Sequence, residues 1–473
     1  MLRFTERMAG SSHVGRREFL RIGGLSCLGA GVGSLLGTPA MAKAAAGIDA
    51  AALPKFLTDK SVIFVFCHGG PSQYETFDPK LTAPSGIRSV TGECQTVVPG
   101  MTFGGSFTKL ARVADRVSIV RSYQSTEGNH NIRPLVGKET LGANLGSWYS
   151  RIAGTNRPHN GMPTNTALFP RSVDADAGPH QEAFGKFDSS GTFGASYAPF
   201  IAGGGGTLQK DMELKLSRTR LDDRRALLSE LDRVRALYQE GGVSQEKFRD
   251  QAFDTILGGV AGAFDLSKED PRTIARYDTE ALVQASQISD KWNNRKHYID
   301  HGRTLGKLFL MARRLCEAGA GFVTVTTNFV WDFHADKNNA GCEEGSRYTS
   351  LPLDHALSTL ITDLDERGLS EKILIVVTGE MGRTPRINKN GGRDHWGNIT
   401  PLLLSGGGLQ MGQIIGQSNR DGSEPGTEPL KPEHLYGTIM RTLFDLGELR
   451  LSRSAPTELL QKIAAWEPIP GLS

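Results

Sequence analysis

Four short segments hold residue types that bind metal ions. His68 stands in Cys67-His68-Gly69-Gly70-Pro71, and Asp332 and His334 in Trp331-Asp332-Phe333-His334. Glu380 stands in Gly379-Glu380-Met381-Gly382-Arg383, and His395 in Gly392-Arg393-Asp394-His395-Trp396-Gly397. An Asp-x-His pair in a loop can turn both side chains onto one ion. A buried Glu380 needs a cation or several donors, and either an ion or Arg383 would serve. Asp394 beside His395 suits a histidine ligand oriented by a carboxylate. Histidine and carboxylate ligands without a thiolate favour zinc, manganese, iron or calcium over copper. Gly69 and Gly70 could instead bring backbone amides close to an anion. Plainer readings stand beside these: a solvated loop acid, a capped turn histidine, an ion pair between Glu380 and Arg383.

Each segment lies next to an apolar run of strand length. Val62 to Phe66, Val117 to Val120, Phe322 to Val325, Ile373 to Val377 and Leu402 to Leu404 read as buried strands. Arg121-Ser122, Ser125, Thr126, Glu127 and His130 follow the second run. Amphipathic helical patterns cover Leu221 to Leu237, Thr304 to Ala318 and Leu353 to Arg367, the last two ending near Gly319 and Gly368. Strands alternating with helices imply an α/β fold, a three-layer αβα arrangement around a mostly parallel sheet. In such sheets ligands bind at the carboxyl ends of the strands. Residues 43–473 are expected to form one domain, with a Gly-, Pro- and Ser-rich insertion at about 156–206.

Composition limits the function classes. The 473 residues carry 54 Lys+Arg against 51 Asp+Glu, a net charge of +3. That balance gives no reason to expect nucleic acid as a partner. With 22% charged and 38% hydrophobic residues, the chain is neither disordered nor a multi-span membrane protein. Cys67 and Cys316 read as core residues, Cys94 and Cys342 are free to pair after export, and no C-x-x-C motif is present.

The N-terminus reads as an address. Arg16-Arg17-Glu18-Phe19-Leu20 precedes a Gly-diluted apolar run from Leu25 to Leu36, and Ala40-Met41-Ala42 offers a cleavage site. Residues 1–42 therefore resemble a twin-arginine signal peptide that the export machinery would read. The run is too diluted for a stable membrane anchor. The expected location is periplasmic or extracellular.

Residues 62–80, 331–334, 379–388, 392–397 and 406–416 together resemble the signatures of domain of unknown function 1501. That family is grouped with the alkaline phosphatase/sulfatase-like superfamily. The resemblance implies a divalent metal, zinc, calcium or manganese, held by His68, Asp332, His334, Glu380 and His395. It implies Ser122 as nucleophile with Arg121 beside it, and Gly69, Gly70, His130, Arg383 and Asp394 as supporting or anion-binding groups. His68 and Glu380 depart from the carboxylates that the superfamily places there, and the sulfatase Cys-x-Pro-Ser-Arg motif is absent. The expected activity is hydrolysis of sulfate or phosphate esters, on a small molecule or a polysaccharide. The alternatives are a non-catalytic relative that binds a glycan or a partner protein, and, last, a phosphomutase-like transferase.

Overall fold

The computed structural model describes residues 53–201, Arg220, 260–452 and 455–472. The signal reading over residues 1–42 and the helical pattern from Leu221 to Leu237 lie outside the described residues. The strands are β1 (Ser61–Phe66), β2 (Glu93–Gln95), β3 (Thr102–Gly104), β4 (Ser118–Val120), β5 (Asn165–Leu168) and β6 (Phe200–Ile201). They continue with β7 (Phe322–Thr326), β8 (Ile373–Thr378), β9 (Gly382–Arg383), β10 (His395–Trp396), β11 (Leu402–Gly406) and β12 (Gln413–Ile415). Among the helices are α1 (Leu145–Ala153), α2 (Pro271–Tyr277), α3 (Arg295–Glu317), α4 (Cys342–Glu366) and α5 (Pro432–Leu443).

Eight strands form the central sheet in the order β12-β4-β11-β8-β1-β7-β5-β6. The pairings are parallel except at β11, which runs antiparallel to both β4 and β8. This reversal matters for the site. The start of β11 lies at the edge where β8 ends, so the segment leading into β11 joins the loops that leave the parallel strands.

Alternation along β1 builds both faces. Ile63 and Val65 enter one core with Leu308 and Leu315 of α3 and Leu357 and Leu360 of α4. Val62, Phe64 and Phe66 enter the other with Trp148 of α1 and Leu435 and Ile439 of α5. Period-two side-chain placement on a strand buried on both sides needs apolar residues throughout. All six residues of β1 and of β8 are buried.

Of the segment 156–206, read as a loop-rich insertion, residues 156–201 are described. They supply β5 and β6, which extend the sheet beyond β7. Asn165–Leu168 is polar at its start and Phe200–Ile201 is two residues long, so neither carries a clear apolar run. Cys94, in β2, and Cys342, at the start of α4, are both free, as are Cys67 and Cys316.

Candidate metal centre

The loops after β1, β4, β7 and β8 and the lead into β11 meet at one edge of the sheet. Glycine permits the closest approach. Gly69 has φ +115°, and a Cβ there would lie 2.6 Å from the Asp332 backbone nitrogen. The His68 carbonyl accepts from the Val330 and Trp331 amides at 3.2 and 3.1 Å, which binds the first loop to the third.

Asp332 is the focus. His334 Nε2 lies 3.1 Å from its Oδ1, His130 Nε2 3.5 Å and His395 Nε2 3.6 Å. One ligating atom from each of His130, Asp332, His334 and His395 falls within 4.8 Å of the others. The other nitrogen of each ring has its own acceptor. His130 Nδ1 lies 2.9 Å from Glu380 Oε1, His334 Nδ1 3.0 Å from Asp394 Oδ1, and His395 Nδ1 3.0 Å from the Gly128 carbonyl. An acceptor at Nδ1 fixes the proton there and leaves the Nε2 lone pair free. Three lone pairs then point toward one carboxylate oxygen. That arrangement is repulsive unless a cation or added protons lie between them.

The donor set fits a divalent ion of the zinc or manganese type, with three imidazoles and one carboxylate. Buried atoms without a partner support the fit. His395 Nε2, Glu380 Oε2 and both ring nitrogens of His68 make no hydrogen bond. His68 is enclosed by Phe66, Phe184, Phe187 and Phe329, with ring centroids 5.0–5.9 Å away.

Electrostatics follow the burial. Burial lowers His68 to about 4 and His130 to about 3, although Glu380 and Asp332 respectively oppose it. Burial also acts to lower His334, but hydrogen bonding and charge from Asp332 prevail and raise it. Burial alone would raise Asp332; the Arg383 guanidinium and the His334 contact outweigh it and hold the carboxyl well below the usual range. Burial raises Glu380.

Several roles read from the sequence change places. Arg383 pairs with Asp332, at 2.6 Å, rather than with Glu380. Its remaining donors go to the Gly69, Gly70, Trp331 and Arg393 carbonyls. Asp394 orients His334 and not its neighbour His395. Glu380 contacts His130 and the Gly69 amide, at 2.9 Å each, so it orients a candidate ligand and lies outside the four-residue cluster. His130, read as a supporting residue, stands inside the cluster. The Gly69 amide is spent on Glu380 and the Gly70 amide on the Cys67 carbonyl, so neither is presented to an anion.

Ser122 and Arg121 are not brought to this centre. Ser122 is fully buried against Gly416, where a Cβ would lie 2.2 Å from its Oγ, and its carbonyl accepts from the Leu430 amide. Arg121 bonds the Phe77 and Thr102 carbonyls and lies 3.5 Å from Asp78. Asn339 went unnoticed in the sequence; its amide donates to Asp332 Oδ2 at 2.8 Å. Phe184 and Phe329, stacked 4.8 Å apart beside His130, were also missed. Nothing in their immediate sequence marks them, because only the fold brings them to this edge.

Fold and site define an α/β protein with a histidine–aspartate centre at the strand ends of a mixed sheet. The chain belongs to the family described as "Protein of unknown function (DUF1501)", which it matches over residues 59–449. No curated protein matches the chain. Solved structures similar to it include the PsFucS1 sulfatase from Pseudoalteromonas sp., 11% identical, with 88% of this chain and 72% of that chain covered and a TM-score of 0.33. Another is the phosphonate monoester hydrolase SpPMH from Silicibacter pomeroyi, 11% identical, with 81% and 73% covered and a TM-score of 0.30. The TAB5 alkaline phosphatase is 12% identical, with 82% and 98% covered and a TM-score of 0.27. No helix of the described residues is long and apolar enough to cross a membrane.

Proposed function

We propose that the protein is an exported metal-dependent hydrolase of sulfate or phosphate esters, with its ion held by His130, Asp332, His334 and His395. The observation that carries the reading is the convergence of three histidine Nε2 atoms on Asp332 Oδ1. A divalent ion there supplies Lewis acidity toward an ester oxygen. Glu380, Asp394 and the Gly128 carbonyl keep the three Nδ1 protons in place, and Arg383 fixes Asp332. His334 and His395 are half-buried while His130 and Asp332 are buried, so substrate enters from the side of the first two.

Ser122 does not support a covalent route, because its hydroxyl is boxed in by Gly416 away from the cluster. Export through Arg16-Arg17, with cleavage near Ala42, remains part of the proposal. A precursor carrying both Arg16→Lys and Arg17→Lys should stay in the cytoplasm, and unchanged export of that double variant removes the twin-arginine reading.

Elemental analysis of the purified protein, followed by turnover of p-nitrophenyl sulfate and p-nitrophenyl phosphate with the bound ion present, tests the activity. Bound metal and turnover of either ester are expected. Stoichiometric metal with no ester turned over points to the non-catalytic alternative, a glycan- or protein-binding relative. Absence of any tightly bound metal overturns the reading at its base.

A further inference from the structure

A second buried arginine stands just before His395 in the chain and touches none of the four candidate ligands. Arg393 is fully buried, as is Glu75. Its Nε donates to Glu75 Oε2 and one terminal nitrogen to Oε1, both at 3.1 Å. The same terminal nitrogen reaches the Ile87 and Arg88 carbonyls at 2.8 and 3.1 Å. The other reaches the Thr384 carbonyl at 3.2 Å and the Pro385 carbonyl. The guanidinium carbon sits 4.2 Å from the Tyr74 ring centre, and Tyr74 donates to the Asp421 carbonyl at 2.7 Å. Ser72 Oγ holds the remaining side of Glu75. Every guanidinium nitrogen is therefore engaged, by groups from three separate stretches of chain.

The backbone of the same residue faces the centre. The Arg393 amide donates to the Phe333 carbonyl at 2.8 Å, and its carbonyl accepts from Arg383 at 3.2 Å. The next two residues are Asp394, which holds His334 Nδ1, and His395, which presents Nε2 to Asp332. Asp394 itself is largely exposed and is fixed through backbone contacts with Thr384. The short β9–β10 pairing alone gives two residue pairs to hold this segment.

The geometry points to Arg393 as a positioning residue for the metal centre, acting through Asp394 on His334 and directly through the chain on His395. A planar fork that satisfies a carboxylate and four carbonyls cannot be copied by a lysine ammonium. The inference rests on the proposed metal site. It predicts that the fork, rather than the charge, sets the affinity of that site.

The test measures zinc affinity of the full chain by competition with a chromophoric chelator, for the parent, Arg393→Lys and Glu75→Gln. Both variants should bind about 10-fold more weakly, the low end of the range for losing an outer partner of a ligand, since Arg393 and Glu75 act from further out. Ring resonances of His334 and His395 should move in Arg393→Lys, while those of His130, oriented by Glu380, should stay. If either variant fails to fold, Ser72→Ala removes only the hydrogen bond to Glu75 and should weaken zinc severalfold. Zinc affinity within twofold of the parent in a folded variant, whatever its melting temperature, overturns the inference. A parent that binds no zinc overturns the proposed function as well, so the two failures are distinguishable.

Discussion

The corner where His130, Asp332, His334 and His395 meet and the end of β4 with the next two residues, Arg121 and Ser122, lie on the same edge of one sheet. Both hold buried polar atoms without a hydrogen-bond partner. In the first corner three histidine Nε2 atoms converge on Asp332 Oδ1, the orphan His395 Nε2 among them. In the second, Ser122 Oγ lies against Gly416, the neighbouring Tyr123 hydroxyl is likewise without a partner, and Arg121 is spent on Phe77, Thr102 and Asp78. An isolated orphan hydroxyl costs a modest desolvation penalty and can be tolerated. Several nitrogen lone pairs aimed at one carboxylate oxygen amount to a concerted demand for a cation. Convergence, rather than the presence of reactive residue types, separates a centre from a packed strand end.

The strongest way to break this comparison is Asp332→Asn. It removes the shared negative charge and leaves the buried Arg383 without its carboxylate. Bound metal should disappear, and stability in chelator should fall by about 3–5 kcal/mol, as for other broken buried ion pairs. Urea unfolding with elemental analysis checks both, and full metal occupancy in the variant would show that the four residues are not the site.

Glu380→Gln sharpens the comparison one step outward. It should weaken metal binding by about 10–100-fold through loss of the His130 orienter. Stability in chelator should hold or rise, since a buried carboxylate is removed and Arg383 does not depend on it. Equal destabilisation with and without metal, together with normal affinity, would return Glu380 to a purely structural role.

Acid should act on the first corner before the second. His68 and His130 have folded values below the ordinary 6.5, so their contribution is present above 6.5 and is lost as pH falls toward about 4 and 3. His334 has the opposite sign, because its folded value is raised: its contribution is complete below 6.5 and is lost as pH rises through the folded value. Among the histidines the lowered values prevail, since burial lowers His297, His301 and His355 as well. The metal-free protein should melt at lower temperature as pH drops from about 7 to about 5, and His68→Phe should flatten that slope. An unchanged slope in His68→Phe would mean that burial of this ring is not what acid attacks.

The smallest effect belongs to the second corner. Ser122→Ala should leave zinc affinity and ester turnover within twofold of the parent and change stability little, since it deletes a hydroxyl that has no partner. Loss of turnover with metal retained would restore Ser122 as the nucleophile and require this corner to move.

Sequence by itself determined the strands that carry the site. Five buried runs were legible because a strand covered on both faces needs apolar residues at every position, and the loops that follow them reach the ligand-binding edge by chain connectivity alone. Asp332 and His334 could be named for the same reason, whereas His395 precedes its strand and reaches this edge because β11 runs antiparallel. Tertiary structure decided the partners. Asp394 turned to His334 in the loop after β7 instead of to its neighbour, Arg383 chose Asp332 over Glu380, and His130 exchanged roles with Glu380. Neither the polar start of β5 nor the two-residue β6 announced a strand, because edge pairing is settled by the neighbour and not by local pattern. Which nitrogen meets which oxygen depends on fine placement of loops that mix polar and apolar residues without a regular period, and no one-dimensional pattern encodes that placement.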